Sequence, residues 1–534
     1  MQIELKRAKI RIRLASLLDQ TFEVTEVKGE GTTFLFRQKI LSEDASNPRV
    51  ALLPHIEGWS DPPLRVKETP TPPPTSALTV RVGQVDVGVS QAQLNEYNFK
   101  GHARATGAFH FNTLTAVDVT GAHLDVTDGE IRVGEALAFS HLAGTVTCDI
   151  SPFNPRRVLG SDVLSFVSAQ LKMNLELENA GAIVDSLKRG SGPLQLDLRI
   201  RAGRLASQST LNGKLTGLQV RQEGYQWTSD LKIIGEKGVV LFRFEPIELK
   251  HQEPPRFSAN FRRLDLQLSA SRDRLQDLFA GLELEGELKP NAVRDFRWLN
   301  AFLPHSQSLE IRSGEGKFGL RFKGSVASGK GHALLVASGE KTQLRLQSTR
   351  IQADWNVSLP MTKIDLKSGK IFLGESTIHL RNLESLQDKS FAKFWWADIV
   401  VANGALRPAA GVSFSGTVKA RLRDLRPLWL LYESQSPLPP WVPNLLAMEG
   451  LEASGSIRVG PSLIELSQFK AMGKNISVNG EVELHQDNLW AVSQVTAGLL
   501  SAAIELKDKK TEWTLFGTKE WFEGRIKRHQ GLSP

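Results

Sequence analysis

The chain has 534 residues, 41% of them hydrophobic and 23% charged, with 44 Gly, 25 Pro and a single Cys. That apolar share belongs to a folded chain and not to a disordered one, and the lone Cys148 excludes an intramolecular disulfide framework and any cysteine-rich zinc module. Lys and Arg total 66 against 58 Asp and Glu, a formal charge of +8, which on so long a chain identifies neither a membrane nor a nucleic acid as partner.

Residues 1–61 read as a first β-segment. Ile10, Ile12 and Leu14 interleave with Lys9, Arg11 and Arg13, so the opening is neither a signal peptide nor an anchor helix. Successive side chains of a strand point to opposite faces, so this alternation gives one apolar and one polar face. Residues 62–77 form a Pro-rich loop, with Pro62, Pro63, Pro70, Pro72, Pro73 and Pro74. It reads as a stiff, extended connection in preference to a PxxP ligand.

Residues 78–290 form a second β-segment with short helices expected at 156–170, 182–188 and 272–280. Its clearest strand alternates Leu194, Leu196, Leu198 and Ile200 with Gln195, Asp197, Arg199 and Arg201. Leu264, Leu266 and Leu268 repeat the pattern. Residues 291–423 are a further repeat, with a helix expected at 293–303 and strands through Phe318, Leu320 and Phe322 and through Leu344 and Leu346. Residues 424–534 close the chain with a helix-plus-strand repeat. It has a helix at 424–432, a Pro-broken stretch at 437–443 and a return to helix near Asn444. In all, about 25 strands are expected. Asp128-Gly129, Asn212-Gly213, Ser368-Gly369, Asn403-Gly404 and Asn479-Gly480 read as turn signals between them. The predicted fold class is mainly β: a long, curled, mostly antiparallel sheet forming an elongated groove, with a few short helices.

Motifs that carry chemistry are few. Gly314 to Gly319 fits GxGxxG, but a strand pattern follows where a dinucleotide site needs a helix N-terminus, so a turn is the better reading. Gly324 to Lys330 fits part of a P-loop, but Gly331 stands where Ser or Thr is required, and His332 onward reads as the return strand of a hairpin. His102 and His110 flank an expected glycine-containing turn and read as sheet-surface histidines without a metal. Asp125 and Asp128 lack the spacing and final Glu of a calcium loop. No nucleophile–base pattern emerges, so no enzyme, cofactor or metal is expected. Trp395, Trp396, Trp429 and Trp441 read as core packing, with headgroup anchoring as the sharper alternative. Nucleic acid is not expected as a partner, since no module appears and aromatics do not interleave with the basic runs.

The apolar face of so many strands has to be covered by another sheet, by helices or by a ligand. A curled sheet of some 20 strands spaced about 4.8 Å would make a trough of roughly 100 Å, and acyl chains are the ligand it suits. Leu196, Leu198, Leu266, Phe318, Leu320, Phe322 and Leu346 are the expected lining. The stretch from Ile10 through Leu18 to Val27, the phrase from Val117 to Val126 and the repeated Gly-x-aliphatic strand starts resemble the AsmA-like superfamily, related to TamB-type proteins. That resemblance implies a phospholipid-binding and lipid-transfer β-groove protein of the bacterial envelope. It would lie in the periplasm in association with the inner membrane, with phospholipid acyl chains, membrane surfaces and other envelope proteins as partners. The family's usual N-terminal anchor helix is not found in this sequence. The alternative is a non-enzymatic scaffold or assembly factor for outer-membrane proteins, its sheets closed as sandwiches.

Overall fold

The computed structural model describes residues 2–37, 48–57, 79–112, 116–154, 157–158, 160–184, 187–222, 225–251, 257–270, 274, 277, 281–302, 309–346, 349–386, 394–407, 413–424, 449–460, 462–485, 488–507 and 510–531. Among these are 28 strands, one α-helix and several short 3-10 turns. The chain is therefore mainly β. It divides into two compact units, Met1–Ile247 with Asp265–Glu283, and Glu248–Leu264 with Leu284–Pro534.

The first unit opens with β1 (Gln2–Arg13) and β2 (Thr21–Phe36), joined by a 3-10 turn at Leu14–Asp19. There follow β3 (Thr79–Leu94), β4 (Tyr97–Asn112), β5 (Ala116–Val133), β6 (Ala136–Phe153), β7 (Val167–Leu177) and β8 (Leu187–Arg201). The two-residue β9 (Arg204–Leu205), then β10 (Thr210–Gln222), β11 (Tyr225–Glu236) and β12 (Val239–His251) come next, the last four residues of β12 belonging to the second unit. From β1 to β8 each strand pairs with its successor, and β8–β10–β11 continue the ladder. These pairings are antiparallel except β2–β3, which run parallel. A parallel neighbour needs a crossover of a dozen or more residues, and segment 37–78 supplies it. The Pro-rich stretch falls in that segment and lies outside the described residues.

After β13 (Phe257–Phe261), β14 (Leu264–Ala270) and β15 (Leu282–Val293), the second unit runs through β16 (Leu309–Ser325), β17 (Lys330–Leu346), β18 (Thr349–Asp365), β19 (Lys370–Leu373), β20 (Ser376–Ser385) and β21 (Trp395–Arg407). It continues through β22 (Ser413–Leu422), β23 (Leu451–Val459), β24 (Leu463–Met472), β25 (Ile476–His485), β26 (Asn488–Ala497), β27 (Leu500–Lys507) and β28 (Lys510–Thr514). From β16 onward this is an antiparallel meander in chain order. One place is shared: β19 and β20 both pair with β18 on one side and β21 on the other. Helix α1 (Thr518–Gly531) ends the unit.

Several expected turns are strand interiors instead. Asp128-Gly129, Asn212-Gly213, Asn403-Gly404 and Asn479-Gly480 lie inside β5, β10, β21 and β25, and Gly314 to Gly319 lies inside β16. The physical reason is crowding by neighbours. A Cβ on Gly129 would stand 2.3 Å from the Phe99 ring, and one on Gly213 would stand 2.3 Å from Leu194 Cδ2. Glycine here makes room for a large side chain next door. Real reversals sit at Ala202-Gly203 and Lys237-Gly238, where both residues have φ between 46° and 76° as a two-residue hairpin turn demands. Ser368-Gly369 is a turn as expected.

The expected helices are also corrected. Only 3-10 turns stand at Gly160–Phe166, Ala180–Ala182 and Arg297–Phe302, because the alternating strand pattern resumes at Val167 and Leu187. The expectations at 272–280, 424–432 and 437–444 fall outside the described residues apart from Arg274, Asp277 and Asp424. His102 and His110 lie within β4 and not beside a turn, and Asp125 and Asp128 lie within β5.

Candidate functional site

The register of the strands sorts side chains onto two faces with unusual strictness. In the second unit, Phe318, Ala337, Val357, Ile378, Ile399, Ala420, Ala453, Ala471, Val478, Val495 and Ala502 stand opposite one another in turn from β16 to β27. Every member of this row is apolar. One residue along, Lys317, Ser338, Asn356, His379, Asp398, Arg421, Glu452, Met472, Ser477, Thr496 and Ser501 make the corresponding row on the other face, polar throughout except for Met472.

The first unit repeats the arrangement. Ala8, Gly29, Val87, Ala105, Leu124, Val146, Leu171 and Leu198 form an apolar row across β1 to β8. Ile3, Phe34, Ala92, Phe99, Ile131, Phe139 and Leu177 form a second. A cavity of about 440 Å³ opens on this face, and its walls include Phe34 of β2 and Met173 of β7. On a flat sheet five strand steps would part those residues by about 24 Å, so the sheet curls around the cavity. Cys148 is part of the wall, and burial, then the charge of Asp149, pushes its thiol pKa up, away from thiolate chemistry.

The expected lining residues all lie on strands. Leu196 and Leu198 share the apolar face of β8, where Leu196 packs against the cluster around Val87, Leu142 and Met173. Leu266 is half-buried on β14. Leu320 and Phe322 are half-buried on β16, opposite Leu335 and Ala333. Phe318 is committed to an aromatic cluster, with ring centroids 5.4 Å from Trp298 and 5.9 Å from Phe261. Leu346 ends β17 opposite Leu309, and its side chain lies outside the described residues. The cavity walls Phe34, Ala92, Phe99 and Leu124 were not among the expected lining. Their strands pair large with small residues, so a hydropathy pattern there is shallow.

Two tryptophans fix the floor of the second unit. Trp355 lies across Gly339, where a Cβ would stand 2.4 Å from its Nε1, and its N–H donates to Thr342 Oγ1 at 2.9 Å. Trp395 is buried and donates to the Asp424 carbonyl at 3.0 Å, which makes it core. Trp396 lies beneath the Arg381 guanidinium, and Trp429 and Trp441 lie outside the described residues.

The polar face carries ion pairs, among them Arg104 with Asp86 at 2.7 Å and Arg381 with Asp398 at 2.6 Å. Helix α1 packs on this face. His529 stacks 3.7 Å from Trp490 and meets Glu483 at 2.9 Å, while Arg525 reaches Glu505 and Glu512. The sequence signals for α1 were Glu520 in its first turn, Arg528 and His529 in its last, and Phe522 and Ile526 one turn apart. Beneath α1 a cavity of about 740 Å³ is bordered by Gln468, Asn479, Glu481 and Phe522.

Burial, then the nearby charge of Glu465, raises the Glu481 pKa above its ordinary 4.5, against smaller opposing effects of His529 and the Gln468 N–H. The fold thus favours protonated Glu481. That contribution is present below pH 4.5 and is lost as pH rises through the folded value. Glu481→Gln is therefore expected to raise the melting temperature at pH 7 and to leave it unchanged near pH 4, as read by thermal scans across that range.

Among the described residues no three His, Cys, Asp or Glu side chains gather to hold a metal ion. No described helix is long and apolar enough to cross a membrane, which says nothing of strands. Compared with known protein families, with curated proteins and with solved structures, the chain matches none.

Proposed function

We propose that the chain is a lipid-binding, phospholipid-transfer protein of the bacterial cell envelope that acts without covalent chemistry. The observation that carries this is the apolar row across eleven strands of the second unit, with its polar twin one residue away. Val357, Ile378, Ile399 and Ala420 are half-buried on it, while Ala453, Ala471, Val478, Val495 and Ala502 are packed as core. Within that unit's ladder each strand is hydrogen-bonded edge to edge, so the row is one face of a single layer. An acyl chain offers only apolar contact and no directional hydrogen bonds, which is what the half-buried stretch of such a face can accept. Headgroups would face solvent at the margins, beside the Lys and Arg of the polar face. On the AsmA-like resemblance of the sequence, the proposal sets this activity in the periplasm, at the inner membrane, with other envelope proteins as partners.

Native mass spectrometry of the purified protein, released gently from detergent-free buffer, tests the reading. Adducts at phospholipid masses, removed by organic extraction, are the expected result. A protein that always flies at its bare mass overturns the lipid reading and turns attention to the scaffold alternative.

A further inference from the structure

The tip of the first hairpin is built unlike the rest of the first unit. Its 3-10 turn, Leu14–Asp19, exposes Leu14 by 71%, Leu17 by 50% and Leu18 by 89%. Residues three apart eclipse in a 3-10 turn, so Leu14 and Leu17 project together with Leu18 beside them. A cluster of this kind at the end of a paired hairpin is costly to leave in water, unlike a scattered surface leucine.

Its surroundings are basic. Lys9, Arg11 and Arg13 lead into the tip on the polar face of β1, opposite Lys28, Glu26 and Glu23. The ion pairs are lopsided: Arg11 is 62% exposed against 12% for Glu26, and Arg13 is 61% exposed against 17% for Glu23. The carboxylates are tucked in and the guanidiniums face outward. A hydrogen bond from Lys28, with Arg11 and Lys9 close by, holds the Glu26 carboxyl below its ordinary pKa. Asp19 is the acid of the turn itself. On the apolar face of β1, Ile10 and Ile12 are also exposed and stand opposite Val27 and Val24, so the cluster runs without a polar break into the first unit's apolar face.

We propose that this tip is a membrane-docking knuckle, which seats Leu14, Leu17 and Leu18 among the acyl chains of a bilayer while Lys9, Arg11 and Arg13 meet anionic headgroups. Leucines below the headgroups with cations level with them is the arrangement of an interfacial anchor. The choice of a bilayer as occupant rests on the lipid reading above. The continuous apolar path from the tip gives a lipid leaving the bilayer a route onto β1 and β2 that never crosses polar surface.

The test compares the full chain with Leu14→Ser/Leu17→Ser/Leu18→Ser in sedimentation with vesicles of equal parts phosphatidylglycerol and phosphatidylcholine. Binding weaker by about tenfold or more is expected for the variant, with its co-purified lipid unchanged by native mass spectrometry. In a Cys148→Ser background, an environment-sensitive dye on Leu18→Cys is expected to shift to the blue on adding these vesicles. Equal sedimentation of variant and wild type, or a dye that stays in water, overturns the knuckle. Equal binding to vesicles of phosphatidylcholine alone overturns the role of the cations. A wild-type protein that carries lipid but ignores vesicles overturns docking and spares the lipid reading. A wild type that docks through the tip but carries no lipid does the reverse.

Discussion

Ala471→Asp is expected to cost the second unit about 4 kcal/mol or more, because it puts a carboxyl where nothing polar can meet it. Ala471 is 0% exposed in the middle of β24, with Ala453 and Val478 across from it and Leu451 and Ile476 in the same cluster. A loss of that size lowers a melting temperature by roughly 10 °C in a unit of this length. Nine of the 11 tryptophans lie from Trp298 onward, so intrinsic fluorescence follows this unit. Ser477→Asp, on the polar face opposite Met472 and Thr496, is the matched control. It is expected to shift stability by about 0.5 kcal/mol or less. Similar melting for the two variants would mean that the faces are not sorted as the register describes.

This contrast also shows what could be read from the amino acids. Where the apolar members are large, as from Leu194 to Ile200 or from Phe318 to Phe322, period two identified the strand and its apolar face. Where they are small the pattern faded. Ala103 and Ala105 alternate with His102, Arg104 and Thr106, yet they line the cavity of the first unit as surely as Phe34 does. An alanine floor is apolar but nearly silent in a hydropathy pattern, and it is legible only through its cross-strand partners. Glycine misled for a related reason. Asp128-Gly129 has the sequence of a hairpin turn, but the Phe99 ring beside Gly129 decides its conformation. That contact joins β4 to β5 and cannot be seen locally.

The parallel pairing of β2 with β3 was illegible for another reason. Nothing in either strand distinguishes a parallel from an antiparallel neighbour, and the choice lies in the long segment between them. Helix α1 was masked by composition: its basic end resembles a solvated tail, and long-range contacts with Glu483, Glu505, Glu512, Trp490 and Ser501 fix it to the sheet.

Leu320→Asp with Phe322→Asp is expected to abolish lipid loading while leaving the fold. Both side chains are half-buried toward the far end of β16, next along the same face from Phe318 but outside its ring cluster with Trp298 and Phe261. Their cross-strand partners Leu335 and Ala333, and beyond these Leu359 and Met361, are all apolar, so the two carboxylates stand in an otherwise apolar patch. Because both sites retain some contact with water, the aspartates can stay ionised at modest cost to folding, about 1–3 kcal/mol in total. Against a bound acyl chain the same charges are desolvated without a partner, which costs several kcal/mol. Since about 1.4 kcal/mol is a tenfold change in affinity, binding here falls a hundredfold or more. A fluorescent phospholipid, offered from donor vesicles, gives the readout, with native mass spectrometry for retained lipid. Leu320→Met with Phe322→Leu keeps the face apolar and is expected to load as the wild type does. Full loading of the aspartate variant, with melting within a few degrees of wild type, would mean that lipid does not lie along this stretch of β16. Loss of loading in the conservative pair as well would mean that packing, and not the apolar character of the face, is what the substitutions disturb.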